Sequence, residues 1–153
     1  MIYLDSAAIV KLIRPEKETG ALHAWLAGEH DKTLVASSLV TTEVPRALLR
    51  ADPGRLVAVP TILAKLNRVP IDDTVLATAA AYPDPMLRTL DAIHLASAQT
   101  LVLEGIPLTA LVTYDKRLLA AAAEAGLPTA TPGRSEGGRE ALTNPVVGAR
   151  PGW

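Results

Sequence analysis

Met1-Ile2-Tyr3-Leu4-Asp5-Ser6 opens the chain as a short apolar run that ends on a carboxylate. Leu111-Val112-Thr113-Tyr114-Asp115 repeats this arrangement near the other end of the sequence. Ligands of open α/β sheets bind outside the carboxyl ends of the strands. Two strands that each end in an aspartate therefore predict a polar site at that edge of a parallel sheet.

The composition is that of a single domain with an aliphatic core. The chain has 153 residues, of which 49% are hydrophobic, with no Phe, two Trp and three Tyr. This length suits one domain, and no cysteine is present, which excludes disulfides, thiolate zinc sites and cysteine nucleophiles. The formal net charge of −1 gives no overall basic signature. A nucleic-acid substrate would therefore be held by a local patch or by metal ions.

Nothing in the sequence indicates a membrane or export signal. Asp5 interrupts the first apolar stretch early, which argues against a signal peptide. No apolar run approaches the roughly 18 residues needed to span a bilayer. We therefore expect a soluble cytoplasmic protein that has no contact with membranes.

Apolar runs alternate with helical patterns along the chain, which predicts an α/β fold with a largely parallel sheet. From residue 132 onwards the composition shifts to Gly, Pro, Arg and polar residues, so residues 1–131 are expected to form one domain and 132–153 an irregular tail. The strands are expected at residues 2–5, 34–36, 69–71, 109–113 and 128–131. The helices are expected at residues 6–14, 18–29, from Ser37 or Ser38 to about 50, around 62–66, and at 74–82, 88–104 and 116–125.

Two further acids lie among apolar residues and join the two strand-end aspartates. Glu43 lies in Val40-Thr41-Thr42-Glu43-Val44-Pro45-Arg46, and Asp91 in Leu90-Asp91-Ala92-Ile93-His94-Leu95-Ala96. Taken singly, each acid could be a helix cap or half of an ion pair. Taken together with Asp5 and Asp115, they predict one shared acidic pocket.

Such a pocket has to offset the repulsion between its carboxylates. Two like charges about 5 Å apart cost roughly 3 kcal/mol at an effective dielectric near 20, so the cluster must take up protons, recruit Arg or Lys, or bind a cation. Carboxylate oxygens suit Mg²⁺ or Mn²⁺. A metal of this kind activates water and neutralises charge that develops on a phosphate, so metal-assisted phosphodiester hydrolysis is the favoured chemistry.

Other polar residues have simpler explanations. Asp72 and Asp73 precede a helix and are interpreted as caps, while Glu16 and Glu18 are expected to be solvated. His94 follows Asp91 by one helical turn. It could carry protons, but a packed or hydrogen-bonded helix histidine is the favoured interpretation.

The four acidic segments, in their order and spacing, resemble PIN-domain proteins of the VapC toxin family. The resemblance covers residues 1 to about 131, and the tail lies outside it. It implies an α/β/α sandwich of three layers with a mostly parallel central sheet. The matching segments are Ile2-Tyr3-Leu4-Asp5-Ser6-Ala7, Thr42-Glu43-Val44-Pro45-Arg46-Ala47, Leu90-Asp91-Ala92-Ile93-His94-Leu95-Ala96 and Thr113-Tyr114-Asp115-Lys116-Arg117-Leu118.

The resemblance also implies a function and partners. The protein would be the toxin of a type II toxin–antitoxin system, a Mg²⁺- or Mn²⁺-dependent endoribonuclease that cuts structured RNA of the tRNA or ribosomal class. A VapB-like antitoxin and a second copy of the chain, forming a homodimer, would be its protein partners.

Residue roles follow from the same motifs. Asp5 and Asp91 would be the principal metal ligands, Glu43 would bind the metal through water or orient the nucleophile, and Asp115 would complete the pocket. The other residues expected at the site are the hydroxyls of Ser6 and Thr113, beside the ligands, and the cations of Arg46 and Lys116, beside the RNA.

One feature departs from a regular helix at the site. Pro45 lacks a backbone donor and can kink the helix that carries Glu43. If that helix begins near Thr42, the proline falls in the first turn and does little harm. If it begins at Ser38, Glu43 could be displaced. Arg46, about one turn from Glu43, is equally well placed to form an ion pair with it.

Two other functions compete with the nuclease. A non-catalytic PIN-like module would bind RNA or protein without turnover, although the presence of all four acids argues against it. A receiver-type domain would accept phosphate on an aspartate, but Asp5 at the first strand end and Asp91 at a helix start fit that pattern badly.

Overall fold

A central parallel sheet carries the functional edge of the molecule. The computed structural model describes residues 1–30 and 33–134. Within these residues, five strands, all pairing in parallel, lie in the order β3-β2-β1-β4-β5. The strands are β1 (Ile2–Leu4), β2 (Leu34–Ser37), β3 (Asn67–Val69), β4 (Ala110–Val112) and β5 (Thr129–Ala130).

In the part of the chain that the structure describes, seven α-helices connect or follow the strands, and a short 3₁₀ helix covers Pro53–Ala58. None of the helices in the described residues is long and apolar enough to cross a membrane. The cytoplasmic location and the irregular tail stay predictions, and residues 135–153 lie outside the described residues. The α-helices are α1 (Ser6–Ile13), α2 (Thr19–Gly28), α3 (Val40–Ala51), α4 (Val59–Leu63), α5 (Asp73–Ala80), α6 (Thr89–Leu103) and α7 (Lys116–Glu124).

Alternation along the strands divides the core into two layers. Ile2 and Leu4 of β1 pack in a cluster with residues of α1 and α3, whereas Tyr3 between them packs with residues of α6 and α7. Successive strand side chains point to opposite faces of a sheet, so helices cover both faces. The predicted three-layer α/β/α sandwich with a parallel sheet is confirmed.

The strand order places a topological switch point beside β1. The chain moves from β1 to β2 and β3 on one side, and reaches β4 and β5 on the other. Ligands of open α/β sheets bind outside the carboxyl ends of the strands at such a point. Leu4 of β1 is in register with Val112 of β4, so Asp5 and Thr113 leave the sheet side by side.

Helix α3 begins at Val40, between the two starting points that the sequence left open. Pro45 is therefore inside the helix and beyond its first turn, where it removes one backbone hydrogen bond. Val44 and Leu48 remain fully buried on the same helix. Their packing keeps α3 against the sheet and holds Glu43 at the edge described below.

The turn after α7 contains a glycine whose backbone conformation can be tested by substitution. Gly126 adopts a φ of +75° with open space around its Cα, so an added methyl group would be strained by conformation alone. We expect Gly126→Ala to destabilise the fold by roughly 1 kcal/mol, measured by urea unfolding. Gly28→Ala is the matched control: Gly28 ends α2 with open space and no positive φ, so this change should stabilise slightly or have no effect.

Candidate active site

An open pocket of about 570 Å³ lies at the carboxyl end of β1. The strand ends and the first turns of the neighbouring helices supply its polar lining. All four predicted acids line it, together with other polar residues that are discussed below. The lining includes Asp5, Ser6, Glu43, Arg46, Arg50, Asp91, His94 and Asp115.

Asp5 is buried and held by two hydrogen bonds of different origin. Its Oδ1 accepts from the backbone N–H of Ala8 at 2.7 Å and so caps α1. Its Oδ2 accepts from the hydroxyl of Thr113. Burial raises the pKa of Asp5, although nearby His94 and these two hydrogen bonds oppose the rise. The residue therefore serves stability as a cap, which the sequence did not reveal, while it faces the pocket.

Asp115 has a similar double role. Its Oδ1 accepts from the backbone N–H groups of Arg117 at 2.8 Å and Leu118 at 3.1 Å, which caps α7. The hydroxyl of Thr113 accepts from the backbone N–H of Asp115 at 3.1 Å. Thr113 thus connects the two strand-end acids through its hydroxyl, while its place beside metal ligands stays a prediction.

Asp91 carries an unpaired oxygen. Its Oδ2 is buried and has no hydrogen-bond partner among the described residues. The pKa of Asp91 is raised, first by burial and then by the charge of Asp115. A buried acceptor without a partner is costly in a native protein. This oxygen marks the point where a cation would be most stabilising.

The unpaired oxygen and the raised pKa of Asp91 lead to a prediction about the stability of the protein in the absence of divalent cations. A raised pKa means that the folded protein binds the proton more tightly, so the contribution of Asp91 to stability falls as pH rises through that pKa. At pH 7 we expect Asp91→Asn to raise the free energy of unfolding by on the order of 0.5 kcal/mol.

Asp73→Asn is the control for this comparison. Asp73 is an exposed acid in the first turn of α5, and its charge favours the helix dipole. Removing it should lower stability slightly. Equal losses for Asp91→Asn and Asp73→Asn in urea unfolding would contradict the account of Asp91.

Glu43 is held by two donors on one of its oxygens. Its Oε2 accepts from the hydroxyl of Ser6 and lies 2.7 Å from Nε2 of His94. Burial works to raise the pKa of Glu43, but the hydrogen bonds from His94 and Ser6 outweigh it and leave that pKa below its usual value. No described residue bonds to Oε1, so that oxygen is available to the pocket.

His94 is the residue that sequence reasoning missed as part of the site. It is 2% exposed and reaches Glu43 with Nε2 and the Tyr3 hydroxyl with Nδ1, at 2.9 Å. The favoured interpretation as a hydrogen-bonded helix histidine was right. Its spacing of three residues from Asp91, which places both on one helix face, was the available signal.

The two cationic residues predicted at the site, Arg46 and Lys116, differ in whether they line the pocket. Arg46 lines the pocket together with Arg50, one turn further along α3, and both are exposed. Lys116 is exposed but lies outside the lining of this pocket. The alternative pairing of Arg46 with Glu43 is not observed; Glu43 pairs with His94 instead.

Lys11 and its neighbours correct a sequence interpretation. Glu16 and Glu18 were expected to be solvated, but both bind the buried ammonium of Lys11. That ammonium also lies 4.7 Å from the centre of the Tyr114 ring. The ion pairs explain why a lysine on the buried face of α1 is tolerated.

A ready-made metal site is absent from the described residues: no group of three or more histidine or acidic side chains is arranged to hold an ion as it stands. The donor chemistry nevertheless fits a hard divalent cation. The four carboxylates face one pocket, Asp91 Oδ2 lacks a partner, and carboxylate oxygens are the ligands that Mg²⁺ and Mn²⁺ prefer.

Comparison with known proteins places these features in context. The family model described as PIN domain matches residues 2–124. Ribonuclease VapC35 of Mycobacterium tuberculosis is 50% identical over 135 residues, which cover 88% of this chain and 99% of the relative.

Two solved structures share the fold at low sequence identity. Mycobacterium tuberculosis VapC20, described as a sarcin-ricin loop cleaving toxin, superposes with a TM-score of 0.64 and 16% identity over 79% of this chain and 95% of that chain. FitAB bound to an IR36 DNA fragment has a TM-score of 0.58 and 17% identity over 91% of this chain and 100% of that chain.

Proposed function

This chain belongs to the PIN-domain family, among the VapC ribonucleases, and from that premise we propose that it is the toxin of a type II toxin–antitoxin system, an endoribonuclease that hydrolyses structured RNA with a divalent metal ion. The metal is Mg²⁺ or Mn²⁺, and the substrate class is tRNA or ribosomal RNA.

The observation that carries this proposal is the unpaired, buried Oδ2 of Asp91 in a pocket that the other three predicted acids also line. A non-catalytic module would gain stability by replacing or pairing such an acid. The presence of an unpaired carboxylate at the switch point of the sheet supports a catalytic role.

Asp91 and Asp5 would hold the metal most directly, with Asp115 beside them. Asp5 keeps both oxygens in hydrogen bonds, which fixes its orientation and leaves further lone pairs for an ion. When bound, the metal supplies charge neutralisation at the phosphate and a more acidic water.

Side chains of the protein can meet two further requirements of the reaction, which are to orient the attacking water and to bind the phosphates that flank the cleaved bond. Glu43 lines the pocket, and its Oε1, which no described residue bonds, can accept a hydrogen bond from the attacking water and so orient that water towards phosphorus. Arg46 and Arg50 line the pocket and are exposed, so their guanidinium groups can bind phosphates that flank the cleaved bond. No bulk positive charge is required for RNA binding with this arrangement.

Partners and the RNA class rest on relatives. VapC20, a structural neighbour, is described as a toxin that cleaves the sarcin-ricin loop, which supports structured RNA as the substrate. The name VapC35 supports a VapB-like antitoxin that blocks the pocket. We include a homodimer in the proposal as the assembly expected from the family resemblance.

The experiment that tests this function is a map of cleaved RNA ends after controlled expression. The wild-type chain should produce new 5′ ends at a few positions in tRNA or ribosomal RNA, and Asp5→Asn should produce none. Asparagine still caps α1, so loss of folding does not explain the difference. Equal cleavage by both proteins would refute the proposal.

Metal dependence is a separate prediction for the purified protein. We expect EDTA to reduce cleavage of the mapped RNA to background, and excess Mg²⁺ or Mn²⁺ to restore it, because the carboxylates cannot approach a phosphate without a cation. Ca²⁺, which prefers longer bonds and more ligands, should restore far less. Cleavage that persists after complete chelation would exclude the metal.

A further inference from the structure

His94 forms the centre of a buried hydrogen-bond chain that ends at Glu43. The backbone N–H of Ser37, at the end of β2, donates to the Tyr3 hydroxyl at 3.1 Å. That hydroxyl lies 2.9 Å from Nδ1 of His94, and Nε2 lies 2.7 Å from Glu43 Oε2. This chain of hydrogen bonds therefore connects the strands β1 and β2 with the helices α6 and α3.

The chemistry of Glu43 fixes the hydrogen at its end of this chain. An ionised carboxylate only accepts, so Nε2 carries the hydrogen that Glu43 receives. At the other end, the buried phenol of Tyr3 accepts from Ser37 and contacts Nδ1, which holds the ring in the orientation that directs Nε2 to Glu43.

From this geometry we propose that His94 is a positioning residue, which orients Glu43 so that its second oxygen faces the water and phosphate in the pocket. The proposal rests on the ribonuclease function above. Ser6 donates to the same oxygen, so both donors act on Oε2 and leave Oε1 without a hydrogen bond from the described residues.

His94 acts through Glu43 and not on RNA. The ring is 2% exposed, so its loss should change the rate of cleavage and leave RNA binding unchanged. Partners of this kind that orient a ligand or base typically contribute 10- to 100-fold in activity.

The kinetic test compares His94→Leu with His94→Gln on an oligoribonucleotide that spans the mapped wild-type cleavage site. Leucine removes the donor, whereas glutamine can donate to Glu43 and accept from Tyr3. We expect His94→Leu to lower kcat by about 10- to 100-fold with KM unchanged within about twofold, and His94→Gln to recover most of the loss.

Two comparisons separate positioning from packing. Leu101→Val perturbs the buried face of the same helix away from the pocket and should lower the Tm without lowering kcat. In a Glu43→Gln background, His94→Leu should have little further effect on the single-turnover rate. The proposal would be overturned if His94→Leu lowered the rate by the same factor in the Glu43→Gln background as in the wild-type protein. It would also be overturned if His94→Leu alone left kcat unchanged.

A spectroscopic test needs neither metal nor substrate. Long-range ¹H–¹⁵N correlation spectra of the metal-free protein should show Nε2 of His94 protonated, and Tyr3→Phe should alter the Nδ1 shift. An unprotonated Nε2 would refute the donor role. If Asp5→Asn abolishes cleavage but His94→Leu is fully active, only the positioning proposal fails; if Asp5→Asn is fully active, the proposed function itself fails.

Discussion

Asp91→Asn is expected to reduce RNA cleavage by on the order of 10³-fold while the protein remains folded. Stabilisation of developing charge by a metal amounts to several kcal/mol, and each 1.4 kcal/mol corresponds to a factor of ten in rate. Asparagine keeps the size of the side chain but loses the charge that attracts the cation. The measurement is the single-turnover rate on the mapped oligoribonucleotide at saturating Mg²⁺.

A change of the same kind outside the pocket is the control. Asp73→Asn removes the first-turn acid of the neighbouring helix α5 and should cleave at the wild-type rate. Mn²⁺ should raise the Tm of the wild-type protein and of Asp73→Asn, but not that of Asp91→Asn. Cleavage by Asp91→Asn at the wild-type rate would remove Asp91 from the catalytic site.

Asp91→Asn is expected to have opposite effects on stability and activity. Without metal, its buried oxygen lacks a partner and its pKa is raised, so the substitution is expected to stabilise the fold. The same substitution is expected to abolish activity. Opposite effects on stability and activity are typical of a residue retained for function.

The sheet edge was predictable from sequence because parallel strands end together. Asp5 and Asp115 each follow a short apolar run, and adjacency of β1 and β4 brings them to the same pocket. Glu43 and Asp91 were predicted from their apolar neighbours and the family motifs. All four residues line one pocket, while their roles in catalysis stay predictions.

The hydrogen-bond partners were not predictable in the same way. Sequence spacing fixes the helix face of His94 but not which residue on α3 approaches it, because that depends on how two helices pack against the sheet. The ion pairs of Lys11 with Glu16 and Glu18 depend likewise on the turn between α1 and α2. Long side chains near the surface have many rotamers, and only the folded surroundings select one.

Thr113→Val should weaken both catalysis and stability through Asp5. The Thr113 side chain is fully buried, donates to Asp5 Oδ2 and accepts from the backbone N–H of Asp115. Valine has nearly the same shape, so the packing is kept while the hydroxyl is lost. A hydrogen bond to a charged group contributes roughly 1.5–3 kcal/mol, and a lost support of a ligand lowers activity about 10- to 100-fold.

The pH dependence of the free energy of unfolding shows why Thr113→Val loses stability. The Thr113 hydroxyl favours the charged form of Asp5, so its removal raises that pKa further. Destabilisation by Thr113→Val should therefore be largest above the pKa of Asp5 and shrink as pH falls through it. Thr113→Ser keeps the hydroxyl and should retain most activity, with only a packing loss that is independent of pH. If urea unfolding shows the same pH-independent loss for Val and Ser, the hydroxyl does not act through the Asp5 charge, and Thr113 serves the fold alone.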